Sequence, residues 1–422
     1  MKVTMKNIDS INFNKISLDE YWDDATKEDS KMHRIHAYPA KFPSFMIKKA
    51  VNYAKRRKVE VNRIGDIFCG CGTTALEAKR LGLDFWGCDI NPVATLIAKV
   101  KSHTYKSTVV EKHAKIILDK YGVSKKRVAK RYKENTRINY WYEENSIDDL
   151  YKLLFSIKTN VPKGKYQNFF LCAFSNILKP TSKWLTKSIK PQIDPNKKPV
   201  SVEIAFQKQI KFMLKAIAEE KNVKLISSIN IDNKNFIKTR PKETLLDLIV
   251  TSPPYVTSYE YADLHQLSTL WLGYCEDHTA LRDGTIGSLF HSDIPEKLEK
   301  HLNRVGLKIC KDLRKVDSRK TKSVAKYFMD MEQTVKKSAD LIKESGFSFF
   351  VIGNTKYKGI NVDNVKYLAL CMLENGYKKV TAYKRKINSK ILTPYRSKDG
   401  KFSSNKKHRK IYGYEYILVG KK

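Results

Sequence analysis

The chain has 422 residues, of which 41% are hydrophobic and 30% are charged. This apolar share supports a sizeable core and excludes the low hydrophobicity of an intrinsically disordered chain. No run of eighteen apolar residues is present and the first residues lack the apolar stretch of a signal peptide, so the sequence predicts neither a membrane protein nor a secreted one. Seven cysteines without even, tight spacing are typical of reduced thiols, which favours a cytoplasmic protein.

The charge of the chain is strongly unbalanced. Lysine and arginine together number 81 against 44 acidic residues, which gives a net charge of +37. Such an excess attracts polyanions, so a nucleic-acid partner is the leading interpretation. A lysine bias inherited from an AT-rich genome is the alternative, and charge alone does not distinguish DNA from RNA.

The first hundred residues contain a recognisable supersecondary unit. Residues 1–30 are polar and mixed, and predict a loosely ordered arm. Residues 61–100 have the pattern of a βαβ unit, and strands that alternate with helices predict a parallel sheet covered on both faces. The elements predicted here are a helix over 43–58, a strand over 63–68, a helix over 73–81, a strand over 84–88 and a helix from Pro92.

The rest of the chain is predicted to contain two insertions in the sheet. Residues 106–222 have apolar residues at helical spacing, which indicates a large helical insertion. A smaller, basic insertion is predicted at about 275–325. The remaining predicted elements are strands at 225–231 and 245–252, a helix at 328–344, a strand at 346–354, a helix at 362–376, and paired final strands at 377–386 and 412–422.

A glycine loop follows the first strand of the βαβ unit. Gly70 and Gly72 allow a tight turn and a close approach of the backbone to a ligand. Asp89, at the end of the next strand, could accept hydrogen bonds from two ribose hydroxyls. This arrangement suits NAD(P), S-adenosylmethionine or a purely structural turn. Asp66 favours S-adenosylmethionine, because a carboxylate facing the loop repels a pyrophosphate but suits a sulfonium and an amino group.

A second motif, Thr251-Ser252-Pro253-Pro254-Tyr255, directly follows an apolar strand. The two prolines remove two N–H donors, so the strand must end there with its last carbonyls free. The Ser252 hydroxyl and the Pro253 carbonyl could accept both hydrogens of an exocyclic amine, and Tyr255 offers a ring for stacking on a base. A plain proline turn is the alternative, but it leaves the serine and the tyrosine unexplained.

These motifs resemble those of the bacterial and archaeal amino-methyltransferases of DNA. The resemblance lies in DIFCGCGTTALEAKRLGLDFWGCDINPVA (66–94), DLIVTSPPY (247–255) and HAYPAKFP (36–43), with further similarity in 261–274 and 347–354. The SPPY form is similar to that of the cytosine-N4 branch. The resemblance implies an α/β fold with the seven-stranded, Rossmann-like sheet of class I methyltransferases. It also implies S-adenosyl-L-methionine as the cofactor, with its binding part at 31–105 and the catalytic part at 223–422.

The resemblance also implies roles for individual residues. Asp89 would hold the ribose with Ile90 beside it, and Asp232 would lie near the adenine amine. Ser252, Pro253, Pro254 and Tyr255 would form the catalytic motif. The residues expected around the methionine portion are Phe42, Asp66, Cys69, Gly70, Gly72, Thr73 and Thr74. No metal site is predicted, because Cys69, Cys71 and Cys88 have no second pair to complete a tetrahedral set.

Three basic runs, at 315–327, 384–390 and 403–416, are predicted to lie in loops after strands of the catalytic half. They mix cations with hydroxyls and aromatic rings, which suits contacts to double-stranded DNA around a flipped base. The residues expected to bind DNA are Lys384, Arg385, Lys406, Lys407 and Arg409.

The sequence leaves several alternatives to this function open. The nearest is transfer to adenine N6, followed by methylation of RNA. Base reading is expected in one of the two insertions. The resemblance alone implies a restriction–modification setting with a partner endonuclease.

Overall fold

The computed structural model describes most of the chain. The described residues are 1–24, 29–39, 41, 43–220, 227–239, 245–256, 260–288, 301–387, 395–396, 402–403, 405, 407, 409–410 and 413–422. The strands are β1 (Lys2–Val3), β2 (Arg63–Asp66), β3 (Asp84–Asp89), β4 (Ile229–Asn233), β5 (Leu246–Thr251), β6 (Ile342–Ile352), β7 (Thr355–Tyr357), β8 (Ile360–Val362), β9 (Lys379–Lys386), β10 (Tyr395–Arg396), β11 (Phe402–Ser403), β12 (Arg409–Lys410) and β13 (Tyr414–Lys421).

The α-helices include both short turns and long amphipathic helices. They are α1 (Phe45–Lys55), α2 (Thr73–Leu81), α3 (Pro92–Ser102), α4 (Ser107–Gly122), α5 (Lys130–Lys133), α6 (Thr136–Trp141), α7 (Glu144–Asn160), α8 (Lys165–Ile177), α9 (Val202–Glu219), α10 (Tyr261–Leu264), α11 (Gln266–Leu272), α12 (Arg304–Arg314), α13 (Ser318–Leu341) and α14 (Asn364–Glu374).

One mixed sheet organises the α/β fold. Its strand order is β1-β9-β13-β6-β5-β2-β3-β4, in which β2 to β6 run parallel and β13 runs antiparallel to both of its neighbours. The sheet therefore has eight strands in the described structure, whereas the resemblance implied seven. The additional strand is β1, a two-residue edge strand paired antiparallel with β9. A strand of two residues leaves no alternating pattern in a sequence, so it was not predicted.

The sheet is covered by helices on both faces. All six residues of the central strand β5 are buried, as expected for a parallel strand packed on both sides. Apolar side chains of α1 and α2 cover one face, and those of α13 and α14 cover the other. Because β2 to β6 are parallel, their carboxyl ends all lie at one edge of the sheet. Ligands bind at this edge in folds of this kind.

The N-terminal residues pack against the sheet, contrary to the prediction of a loosely ordered arm. Val3, Ile8, Phe13 and Trp22 are each at most 1% exposed. The four apolar residues are separated by polar ones and follow neither a helical nor a strand period. The sequence therefore did not indicate that they are buried. The segment consists of short turns and 3₁₀ helices, and Leu18 forms a β-bridge with Lys384 of β9.

Helices α4 to α9 occupy the region predicted as a helical insertion. Their apolar side chains form a core that includes Trp141 and Trp184, which are stacked with ring centroids 4.9 Å apart. The same core takes in Val93 and Ile97 of α3. This helical layer, α4 to α9, therefore packs directly against α3, the helix that ends the βαβ unit.

The predicted basic insertion at about 275–325 contains regular helices in its second half. Residues 289–300 lie outside the described part of the chain, but α12 and most of the basic run 315–327 are helical. The prediction that this run lies in a loop was wrong. Val324, Phe328, Met331 and Val335 give α13 a buried stripe at helical spacing, which its high charge obscured.

All seven cysteines are free, and six of them are buried. Cys275, which follows α11, is half-buried. Among the described residues, no cluster of three or more histidine, cysteine or acidic side chains could hold a metal ion. In the same part of the chain, no helix is long and apolar enough to span a membrane.

Candidate active site

A cavity that is partly open to solvent lies at the carboxyl edge of the sheet. The residues that follow β2, β3, β4 and β5 all contribute to its walls. Among the predicted site residues, those that line it are Cys69, Gly70, Thr73, Asp89, Ile90, Ser252 and Pro254. The structure thus brings the glycine loop and the SPPY motif into one cavity, although about 180 residues separate them in the sequence.

The two glycines of the loop have different structural roles. Gly70 has a left-handed backbone (φ +50°), and a Cβ there would be in ordinary contact with the Tyr38 ring at 3.7 Å. Gly72 is also left-handed (φ +78°), but a Cβ there would lie 2.6 Å from Ala98 Cα. Gly72 therefore allows α2 to pack closely against α3, and it does not line the cavity.

Asp89 lies at the end of β3 and fixes the glycine loop. Its Oδ2 accepts a hydrogen bond from the Gly70 N–H (2.8 Å), and its Oδ1 accepts one from the Asn91 N–H (2.9 Å). Burial raises the pKa of the carboxyl, and these two N–H groups oppose the rise. Each carboxylate oxygen can accept a further hydrogen bond, so Asp89 remains able to bind hydroxyls in the cavity.

Asp66 lies behind the loop and does not line the cavity. The Thr74 and Thr251 hydroxyls each donate to its carboxylate at 2.7 Å, and the Phe68 N–H donates at 3.1 Å. Asp66 is fully buried, and this burial raises its pKa to about 6. The side chain therefore joins the ends of β2 and β5 to the start of α2.

Aromatic rings form the part of the cavity wall beside the glycine loop. The Tyr38 ring stacks with those of His265 (centroids 5.0 Å apart) and Tyr261 (6.5 Å apart). Burial lowers the pKa of His265 to about 4, so the imidazole is neutral at neutral pH. In the sequence, segments 36–43 and 261–274 are each similar to the amino-methyltransferases. The sequence did not indicate that these two segments contact each other.

The Ser252 hydroxyl is oriented by the neighbouring strand. Its Oγ donates to the Val351 carbonyl on β6 at 3.1 Å. Because its hydrogen is engaged there, the oxygen presents its lone pairs as acceptors. Pro254 lines the cavity beside Ser252, while Pro253 is buried and does not.

Tyr255 lies next to the cavity wall and is held by a buried ion pair. Its hydroxyl donates to Glu415 Oε2 at 3.4 Å, and Glu415 Oε1 lies 3.3 Å from Arg385 Nε. Burial and the Glu415 carboxylate raise the pKa of Tyr255 well above its usual value. The ring also packs on Gly353, where a Cβ would lie 3.2 Å from it. Glu415 is a site residue that the sequence did not indicate.

Some predicted cofactor residues lie elsewhere. Thr74 is buried against Asp66, and Asp232 lies in β4 beside Cys88 without lining the cavity. Asn235 and Phe236, three and four residues further on, line it instead. Phe42 lies outside the described residues.

Arg385 does not fit the prediction of a contact to DNA phosphate. It is 3% exposed and pairs with Glu415, so its guanidinium is not available at the surface. Lys384 Nζ donates to the Asn14 carbonyl (2.8 Å) and lies over the Tyr414 ring. Lys407 is exposed, Arg409 begins β12, and Lys406 lies outside the described part of the chain.

Comparisons with known proteins find similarity to a DNA methylase family in the first hundred residues and to three type II methyltransferases. Residues 2–100 match the model of the N6/N4 family described as DNA methylase. The type II methyltransferase M.MvaI of Kocuria varians is 22% identical over 408 residues, which are 88% of each protein. M.MjaII of Methanocaldococcus jannaschii is 38% identical over 101 residues (24% of this chain, 18% of that protein). M.BsoBI of Geobacillus stearothermophilus is 23% identical over 243 residues (50% and 47%). S-adenosyl-L-methionine is the cofactor that goes with this family match.

Proposed function

From its relation to the N6/N4 DNA methylases, we propose that this chain is a site-specific DNA methyltransferase that methylates N4 of a flipped cytosine. The observation that carries the proposal is the meeting of Ser252 and Pro254 with Gly70 and Asp89 in one cavity. A restriction–modification setting is supported by the relatives named as type II methyltransferases. The proposal includes a partner restriction endonuclease.

The cavity residues fit S-adenosyl-L-methionine. Asp89 would accept hydrogen bonds from the ribose hydroxyls, and Ile90 and Phe236 offer apolar surface for the adenine. Gly70 and Tyr38 border the part of the cavity where the methionine portion would lie. When bound, this cofactor supplies a methyl group on a positively charged sulfur.

The chain's own residues then prepare the amine of the target base. Ser252 Oγ and the Pro253 carbonyl would accept its two N–H bonds, which directs the nitrogen lone pair toward the methyl group. Tyr255 would stack on the flipped base. No strong base is required, because the amine proton becomes acidic once nitrogen is alkylated, and His265 is a weak base. Positioning and electrostatics carry the step.

Transfer to adenine N6 is the second candidate. The same pair of acceptors can bind either exocyclic amine, and the matching family model covers both N6 and N4 methylases. The SPPY form of the motif is what favours cytosine here.

The test is to incubate the protein with methyl-labelled cofactor and DNA, digest the DNA to nucleosides and identify the labelled one. We expect N4-methylcytosine. N6-methyladenine as the main product would overturn the cytosine assignment and leave the mechanism intact. Label found only in RNA, offered in a parallel reaction, would overturn the DNA assignment.

Variants of the motif test the mechanism. Ser252→Ala and Tyr255→Ala should each cut methyl transfer strongly, because these groups act on the base. Cofactor affinity, measured by calorimetry, should stay nearly constant. A parallel loss of cofactor affinity would show that the motif serves the cofactor instead.

A further inference from the structure

A compact basic segment lies in the helical layer, between α4 and α6. Residues 125–133 read KKRVAKRYK, so six of nine are cationic and none is acidic. All six cations are exposed. The one ion pair found for them in the described structure is a weak contact at 3.7 Å between Lys130 and Glu134. The segment therefore presents a largely uncompensated positive charge.

This segment is fixed to the protein at its aromatic residue. Tyr132 is 5% exposed and stacks on Trp271 with ring centroids 5.0 Å apart and planes 16° apart. Its hydroxyl donates to the Trp271 carbonyl at 3.1 Å. The Arg131 guanidinium lies against Gly273, where a Cβ would be 3.2 Å from it. Tyr132 and Arg131 therefore hold the segment against the end of α11 and the residue that follows it.

The anchor belongs to the same stretch of chain as the cavity wall. His265 and Thr269 line the cavity, and Trp271 follows them on α11. Asn135, just after the segment, donates to the Glu276 carbonyl at 3.2 Å. Residues 281 and 284–286, which follow, line the cavity again. The basic segment is thus attached to residues 271–276, which connect two cavity-lining stretches of the chain.

We propose that residues 125–133 bind the phosphate backbone of DNA beside the flipped nucleotide, an inference that rests on the proposed function. Flipping a base costs unstacking energy, and exposed cations on a segment anchored between two cavity-lining stretches can help to offset it by holding the flanking phosphates. Lysine and arginine can contact guanine edges as well as phosphates, so the two roles are distinguished by whether binding to target and non-target DNA weakens alike.

The test uses two matched triple variants. Lys125→Gln/Arg127→Gln/Lys133→Gln removes three exposed cations and spares Tyr132 and its stack. Lys55→Gln/Lys58→Gln/Lys379→Gln removes three exposed cations at the amino edge of the sheet, opposite the cavity. DNA affinity is measured for both as a function of salt, with target and non-target duplexes, and cofactor affinity serves as the control for folding.

Each phosphate contact contributes about −0.9 to the slope of log affinity against log salt. We expect the first variant to flatten this slope by up to about three units and to weaken target and non-target binding alike. The second variant should leave the slope nearly unchanged. Equal slopes in the two variants, or a loss of target preference alone, would overturn the assignment. Absence of DNA methylation by the unaltered protein would instead overturn the proposed function.

Discussion

Asp89 lines the cavity, and its carboxylate accepts hydrogen bonds from the Gly70 N–H at Oδ2 and from the Asn91 N–H at Oδ1. We predict that Asp89→Ala weakens S-adenosylmethionine binding by roughly 1.5–3 kcal/mol, the scale for losing hydrogen bonds to a charged acceptor. Asp232→Ala is the matched control, because that carboxylate does not line the cavity. Calorimetry should separate the two variants. Equal affinities would mean that the ribose is held elsewhere.

Asp66 should make stability depend on pH in an unusual direction. Its pKa is raised to about 6, so the folded state holds a proton that the unfolded state has already released above about pH 4. Its contribution to the free energy of unfolding is therefore fully present below about pH 4 and is lost as pH rises through about 6. The loss is on the order of 3 kcal/mol.

This contribution is isolated by comparing the unaltered protein with Asp66→Asn in urea unfolding between pH 4 and 7. The difference between their free energies of unfolding should fall as pH rises. A difference that is constant, or that rises with pH, contradicts the raised pKa. Cofactor binding is not the readout here, since Asp66 lies behind the loop.

Individual site residues were predictable where a local pattern defines them. Asp89 ends a strand, Ser252 directly follows one and Gly70 lies in the loop after one, so sequence alone places them at the carboxyl edge. Tyr38 and Glu415 could not be predicted in the same way, because their roles come from contacts with segments over 150 residues away. The role of Gly72 was also hidden, since its close neighbour Ala98 lies on another helix.

At the scale of elements, the strands β9 and β13 provide the ion pair that holds Tyr255 in place. Arg385 and Glu415 face each other across this pair of strands and are both buried. We predict that Glu415→Gln lowers kcat roughly tenfold with unchanged cofactor affinity, because Tyr255 loses its fixed position. Glu344→Gln, which alters an exposed glutamate in an ion pair with Lys378, is the control and should have no effect.

Glu415→Gln also leaves Arg385 without its charged partner, which destabilises the fold. A double-variant comparison removes this ambiguity. If the hydroxyl contact matters, Tyr255→Phe and Glu415→Gln together should reduce kcat by much less than the product of the single effects. Multiplicative effects would assign Glu415 a role in folding alone.

Element boundaries were predicted best where glycine marks them. Helix α2 begins and ends as predicted, because Gly72 and Gly82 flank it in left-handed conformations. Helix α13 was misjudged at its start, since cations at 315–327 outweighed its apolar stripe. Strand β1 and the packing of residues 1–24 were missed because neither has a period that a sequence can reveal.

At the scale of the whole molecule, the net charge of +37 includes exposed cations at 125–133 and at the amino edge of the sheet. For residues 384–410 we retain the prediction that cations contact phosphates, now without the buried Arg385. Neutralising Lys406, Lys407 and Arg409 should flatten the salt slope by up to about three units and weaken all DNA alike. A loss of target preference at an unchanged slope would make this region the reading element.

The distribution of thiols makes the protein suitable for site-directed labelling. Six cysteines are buried, and burial raises the pKa of Cys69, which borders the cavity, far above the range in which thiolates form. Burial also raises the pKa of Cys275, but this thiol is half-buried and so more accessible than the other six; it follows α11, close to the contact between Asn135 and Glu276. A maleimide fluorophore should therefore attach mainly at this one position in the natural sequence. Its emission would report arrival of DNA at the basic segment without any engineered cysteine.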